Sequence, residues 1–494
     1  MNTICKLRKT ITLLGMLVVV AAAGGCKKYL DQRPENSITG ENFFKTKADA
    51  QAAITSCYDA LQSATSLFLN WGEFRGDLLV PTVNNDVTYP FYQYMDKTRP
   101  VSNWSVAYTM IGRTNTVIQS VPGIVGIDSK FSVADSRAIL AEALFLRSLA
   151  YFYLVRTFRD VPLVLTAPTS DAVNYFLPKS PADSILDRIE ADLDTAGHYI
   201  PARYDKDIDT RGRVTKGAVN ALQADVFLWR EKYKPASDAA QKVMDNATLY
   251  SLVPGANWLN IFSQKNTSES VFEVEYDYTI NETNGLIGAI GNFNVNDVLV
   301  SYFNTDEGQN NAQGIRGLNK TFISGNAFWK YRGFSSASNN VVRPTNDPDF
   351  IVYRLSDVML MKAEALVNIQ DADSVNEKMQ AIDIINAIRT RGQVPPYDYL
   401  DGNAPGALLM DLILKERAME LAGEGKRWFD LVRGAKRNNN ANPNFLIDRI
   451  VQSRSVGDRA LVKSRIIDPR SWYMPIYLDE LNKNPRLVQN PYYN

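Results

Sequence analysis

Few side chains in this sequence of 494 residues could do chemistry, and their types narrow the choices quickly. There is one histidine, His198, and there are three cysteines, Cys5, Cys26 and Cys57. A Ser-His-Asp triad would have to use His198, and a His/Cys zinc site cannot be assembled from so few ligands. His198 stands in Ala196-Gly197-His198-Tyr199-Ile200-Pro201, where Gly197 and Pro201 read as a helix stop and a turn. It therefore reads as a helix-terminus cation. No G-x-x-x-x-G-K-[ST] loop is present, and Gly285, Gly288 and Gly291 are spaced wrongly for a dinucleotide fingerprint. No cofactor or metal is expected. Hydrolysis by a carboxylate pair needs no histidine and stays open. Glu416, Glu420 and Glu424 recur at helical i, i+4 spacing and are its most tempting carriers. Arg417, Arg427 and Arg433 lie close enough in sequence to neutralise them, and Trp428 and Phe429 would bury beside them. A paired structural network is the expected reading, not catalysis.

Cys26 has a different kind of chemistry. It ends the run Ala21-Ala22-Ala23-Gly24-Gly25-Cys26, behind a basic stretch (Lys6, Arg8, Lys9) and an apolar one from Ile11 to Ala23. The apolar stretch is shorter than the roughly 20 residues that span a bilayer, and its flanks are those of a secretory signal. The small residues before the cysteine resemble a bacterial lipoprotein box, with Ala23 standing where that box usually has leucine. The resemblance implies a signal over residues 1–25, cleavage before Cys26 and a thioether-linked diacylglycerol, with a third acyl chain on the new amino group. Two or more chains hold a protein stably at a membrane. Cys57 is then the single thiol left in residues 26–494, so no internal disulfide forms. Removing Lys6, Arg8 and Lys9 turns 54 basic against 54 acidic residues into 51 against 54, a net of −3. That balance favours neither nucleic acid nor an anionic membrane surface. With no further spanning run expected, the body is read as water-facing and tethered by lipid alone.

Helix pairs should dominate that body. Ala48 to Leu61 reads as a helix, and residues 70–103 as a loop rich in aromatics. Residues 137–158 are apolar nearly all round, with Ala141, Phe145, Leu149 and Phe152 on one line, so this helix should be buried. Its mate starts at Ser180 with Pro181 at the first helical position and Asp183 near a capping box, and runs to Ala196. Thr215–Tyr233 with Pro235–Ala247 makes a second pair, and Leu355–Ile369 with Val375–Arg391 a third. Alanines where the helices should touch resemble tetratricopeptide repeats, at irregular intervals. Val271 to Tyr276 alternates like a strand. Residues 277–348 are rich in Asn, Gly and Ser, the composition of an irregular binding surface on a rigid frame. The fold class expected is mostly α, one large domain of tetratricopeptide-like pairs with long inserted loops and a few short strands.

Motifs along the chain resemble the SusD/RagB family of surface nutrient-binding lipoproteins of Bacteroidota. Cys26-Lys27-Lys28-Tyr29-Leu30-Asp31 matches the mature N-terminus of the family. Trp104 to Asn115, Ala141 to Arg147, Asp160-Val161-Pro162-Leu163-Val164 and Gly212 to Lys216 match further on. The most specific stretch is Glu416 to Leu431, and Met474-Pro475-Ile476 and Asn484 to Tyr492 close the likeness. The resemblance implies an outer-membrane protein, facing the cell exterior, that binds a glycan or in some members a peptide. It would cap a SusC-like TonB-dependent transporter, and it is no enzyme. A surface glycoside hydrolase and a helical scaffold that binds only protein are the competing classes.

Ligand contacts in such a family come from variable loops, so chemistry must choose the candidates. A sugar ring stacks its C–H face on an aromatic ring for about 1 kcal/mol per contact, while amides and carboxylates read its hydroxyls. That logic selects Trp71, Tyr89, Tyr92 and Tyr94 from the first loop region and Phe293 from the second. Trp258 and Trp329 adjoin regular elements and read as core.

Overall fold

Helices lining one another through small side chains make up most of the computed structural model. It describes residues 43–82, 95–168, 174, 176–306, 314–323, 325–332, 347–371 and 374–493. The chain divides into two units, Met1–Lys45 and Thr46–Asn494. Of the first, Phe43, Phe44 and Lys45 are described, and the second is the subject from here on.

Helix α1 (Lys47–Gly72) packs on α2 (Ser105–Ser120), and α2 on α3 (Val133–Phe158). Reciprocal capping starts α1 and α3. Thr46 and Asp49 exchange backbone and side-chain hydrogen bonds at 2.7 and 3.2 Å, and Ser132 and Asp135 do so at 3.0 and 3.1 Å. The three expected pairs are present. They are α3 with α4 (Ala182–Tyr199), α5 (Lys216–Trp229) with α6 (Tyr233–Met244), and, after a short α7 (Asp297–Asp306), α8 (Leu355–Asn368) with α9 (Ser374–Arg391). Ala143, Ala150, Ala218, Ala221, Ala240 and Ala363 are wholly buried at these contacts, where small side chains let helix axes approach. The pairs also pack side by side, α6 against α8. Then come α10 (Gly406–Leu421), α11 (Arg427–Asn440), α12 (Asn444–Gln452) and α13 (Arg459–Ile466).

Several helix boundaries differ from expectation. Helix α1 runs eleven residues past Leu61, because Ala64, Phe68, Leu69 and Trp71 continue its buried face. Helix α4 starts at Ala182, and Asp160, not Ser180 or Asp183, accepts the free Ala182 N–H at 2.9 Å. It also continues through Gly197 to Tyr199, so that His198 lies exposed in the last turn with Nδ1 2.8 Å from the Asp194 carbonyl. Helix α3 is long and apolar enough to cross a membrane by composition, yet nearly all of it is inside the body, as its all-round apolar surface requires.

The described strands make two antiparallel pairs. β1 (Leu79–Pro81) meets β3 (Phe293–Val295), and β2 (Ser270–Val274) meets β4 (Phe350–Arg354). The alternation seen at Val271–Tyr276 is this β2, which ends two residues early.

The interior is densely charged. Glu416, Glu420 and Glu424 are wholly buried or nearly so, but their partners are not the arginines adjacent in sequence. Arg316 reaches Glu416 at 2.7 Å and Glu420 at 2.9 Å, Arg354 reaches Glu424 at 2.8 Å, and Arg391 and Lys330 complete the set. Burial alone would raise the Glu420 carboxyl, but Arg391, Arg354 and Arg316 hold it well below the usual carboxylate range. Arg417 instead pairs with Asp357 (2.9 Å) and Asp430 (2.8 Å), Arg427 with Asp77 (2.6 Å), and Arg433 with Glu364 (2.7 Å). Glu424 also leaves the helical row. Helix α10 ends at Leu421, and Gly423 and Gly425, at φ +79° and +74°, turn the chain so that Glu424 points back inward.

Candidate ligand-binding face

The β1–β3 pair decides where the two loop regions meet. Leu79 pairs with Val295, Val80 with Asn294 and Pro81 with Phe293. One residue further, Thr82 donates its backbone N–H (2.8 Å) and its hydroxyl (3.0 Å) to the Asn292 carbonyl. Segment 277–292 therefore returns to the body beside Thr82, at the end of β1. The Val295 N–H bonds the Asn326 carbonyl at 2.7 Å, which brings a third irregular stretch to the same edge.

A polar cleft of about 330 Å³ lies between α1 and the chain after β2. Gln62, Ser63, Thr65 and Ser66 line it from α1, and Tyr276 and Asn281–Gly285 from the other side. Its walls are fixed by their own hydrogen bonds. The Tyr276 hydroxyl donates to the Gln62 carbonyl (2.7 Å) and sits 2.6 Å from the Thr65 hydroxyl, and Gln62 Nε2 donates to the Glu275 carbonyl (2.6 Å). Asn284 donates to the Pro348 carbonyl and accepts from the Leu286 N–H at 3.0 Å. Asn281 takes a left-handed turn at φ 63°, which asparagine tolerates, and just before it Tyr278 and Ile280 are 52% and 64% exposed. Hydroxyls, amides and the Glu282 carboxylate facing open space suit a ligand rich in hydroxyls.

The individual aromatic candidates fare unequally. Trp71 is not a loop residue. It belongs to the last turn of α1, is 0% exposed, packs edge-on against Phe158 at 5.3 Å and donates its ring N–H to the Val101 carbonyl at 2.7 Å. Phe293 is 3% exposed, stacked on Phe74 at 4.0 Å, because β3 turns its side chain into the core. Neither ring offers a free face to a ligand. Tyr89, Tyr92 and Tyr94, like Cys26, lie outside the described residues. Trp258 and Trp329 are core, as expected. The residues that sequence reasoning missed are the neutral ones, Gln62, Ser66, Asn281 and Asn284. Their only signal is the run of small polar residues on an otherwise apolar α1 and the Asn-Glu-Thr-Asn-Gly stretch at 281–285.

Cys57 is buried, and burial pushes its thiol up to about 12, so it carries no nucleophilic chemistry. Among the described residues no group of three or more His, Cys, Asp or Glu is arranged to hold a metal ion.

Two family models divide the chain between them. Residues 28–228 match "Starch-binding associating with outer membrane", a SusD-like model, and residues 276–493 match the SusD family. This chain belongs to the SusD/RagB family. SusD-like protein P38 of Formosa agariphila is 25% identical over 98% of this chain and 99% of its own length. A SusD-like protein of Bacteroides ovatus is 23% identical over 82% of this chain and 78% of its own. Among solved structures, a SusD superfamily protein from Bacteroides vulgatus superposes with a TM-score of 0.74 at 21% identity, covering 91% of this chain and 100% of that one. A laminarin binding SusD-like protein gives 0.68 at 23% identity, covering 91% and 100%. These structures share the fold of helix pairs. The relatives carry the name of SusD-like proteins, and not that of hydrolases. The family description ties it to the outer membrane.

Proposed function

We propose that this protein is a cell-surface lipoprotein that binds an oligosaccharide and passes it to a SusC-like TonB-dependent transporter. Residues 1–25 act as the signal, Cys26 carries the acyl chains, and residues 26–494 form the outward-facing body. The observation that carries the reading is the tie between Thr82 and Asn292. It ties the end of β1 to Asn292, one short helix (Leu286–Gly291) on from a cleft lined by amides and hydroxyls. A structural neighbour that binds laminarin supports a glycan over a peptide. Tyr89, Tyr92 and Tyr94 supply the stacking rings in this reading, and Gln62, Asn281 and Asn284 the hydrogen bonds.

The test is binding of the purified protein to a panel of laminarin and starch oligosaccharides, with peptides as controls. Saccharide binding without release of reducing ends is expected. Binding of peptides alone would overturn the glycan assignment. Membrane attachment is tested separately with Cys26→Ala in cells lacking the transporter, where tight membrane association of the variant would sink the anchor.

A further inference from the structure

A second cleft, of about 930 Å³, opens where α3, α5 and α11 end, and it shares no lining residue with the first. Its backbone is strained. Arg159 and Glu231 have φ of 68° and 59°, and Asn438, Asn439 and Asn440 follow at 51°, 59° and 62°. These are five of the ten non-glycine residues with positive φ in the described chain. Left-handed backbone at an arginine or a glutamate costs energy and gathers at sites with a use for it.

The charges around this cleft are unevenly matched. Arg230, Lys232 and Arg470 each hold a carboxylate within 2.8 Å. Arg159 and Lys436 do not: each is 3.9 Å from its nearest carboxylate, Asp160 and Glu231 respectively. Both carboxylates are engaged by backbone instead, Asp160 by the Ala182 N–H (2.9 Å) and Glu231 by the Asn438 N–H (3.1 Å). The Lys436 side chain is only 20% exposed, lies over the Trp229 ring at 5.0 Å, and is pushed below the ordinary lysine range by burial. A desolvated ammonium without a tight partner favours an incoming anion. Asn439, Asn440 and Asp183 are exposed beside it and can read hydroxyls.

We propose that this cleft binds a small hydroxylated carboxylate of the uronic acid class, with Lys436 and Arg159 on the carboxylate and Asn439, Asn440 and Asp183 on the hydroxyls. The sugar half of the inference rests on the proposed function, and the carboxylate half does not. Calorimetric titration of the full chain with D-glucuronate, D-glucose and sodium sulfate separates the two. Glucuronate should bind at least about tenfold tighter than either control, since both halves of the site are then used. Lys436→Met and Arg159→Ser should each weaken it about tenfold, the second variant standing in should the first not fold. Glucose equal to glucuronate overturns the carboxylate half, and sulfate equal to glucuronate overturns the hydroxyl half. Should both cations serve only the negative ends of α3, α5 and α11, the variants will shift the melting temperature and leave glucuronate affinity unchanged. That result overturns the inference and leaves glycan binding at the loop face untouched.

Discussion

The interior around Glu420 and the cleft between α1 and Asn281–Gly285 are both crowded with polar groups, but only one has anything left to offer. In the interior, Glu416, Glu420 and Glu424 meet guanidinium or ammonium groups from residues 316, 330, 354 and 391, and solvent reaches almost none of them. At the cleft the groups are mostly neutral amides and hydroxyls, with the single carboxylate of Glu282, and they face about 330 Å³ of open space. Buried, tightly paired charge in this protein marks the frame, and polar groups that face open space mark the surface available to a ligand. The motif most specific to the family, Glu416 to Leu431, lies wholly on the frame side of that division.

The largest expected effect breaks the frame. Arg354→Met removes the cation shared by Glu269, Glu420 and Glu424 and leaves buried carboxylates short of a partner. Removing one member of a buried network typically costs about 3–5 kcal/mol. Urea unfolding should show a loss of that size, and a loss under about 1 kcal/mol would mean that the network is far less coupled than its geometry implies. Gln62→Ala, on the cleft side, should cost much less.

A smaller effect lies in the pH dependence of the frame. Glu73 accepts the N–H groups of Gly423 (2.9 Å) and Gly425 (3.0 Å), and burial raises its carboxyl to about 7 in spite of them. A carboxyl raised on folding contributes stability that is fully present below its unfolded value, near 4.3, and lost as the pH rises through about 7. Glu275, raised to about 7, and Glu273, raised to about 8, act with the same sign, burial being the main cause in both. Asp357 and Glu364, each held at about 2 by cations against the opposing effect of burial, act oppositely and lose their contribution on acidification. Stability should therefore fall between about pH 5 and 8, by roughly 1.4 kcal/mol per pH unit at most for each such carboxyl. Glu73→Gln should make that slope shallower in unfolding curves taken at each pH. An unchanged slope would show that Glu73 ionises in the folded protein as it does in the unfolded chain.

Much of the frame was legible in the sequence, and the face only in outline. The three helix pairs were readable because alanines and large apolar residues recur at helical spacing. The end of α1 was not, because Trp71 and the breakers after it look like a loop until Ala64, Phe68 and Leu69 are seen to share one buried face. Helix α2 is marked by a family motif more than by periodicity, since Arg113, Thr114, Asn115 and Thr116 interrupt its apolar pattern. The ion partners of Glu420 lie 29 to 104 residues away, and no local spacing can announce pairs of that kind. Phe293 looked like a loop ring because a strand of three residues leaves no alternation to read. The pairing of β1 with β3, which brings the two loop regions together, was invisible for the same reason.

The smallest expected effect on stability, and the one that sharpens the division between frame and face, concerns the loop tyrosines. Replacing Tyr89, Tyr92 and Tyr94 together with Ala should leave the melting temperature nearly unchanged, because the stabilising contacts described above lie in the helix pairs and the buried ion pairs. Saccharide affinity should drop by up to about 3 kcal/mol, at roughly 1 kcal/mol for each stacked ring. Trp71→Ala is the matching variant on the frame side. Its ring is 0% exposed between Phe68 and Phe158, so it should cost about 3–5 kcal/mol of stability. In whatever fraction stays folded, saccharide affinity should be retained. Equal losses of folding and binding in the triple tyrosine variant would place those rings in the packing. Full binding by a folded triple variant would leave recognition to the amide and hydroxyl groups of the cleft, with Tyr278, half exposed beside Asn281, as the next ring to replace.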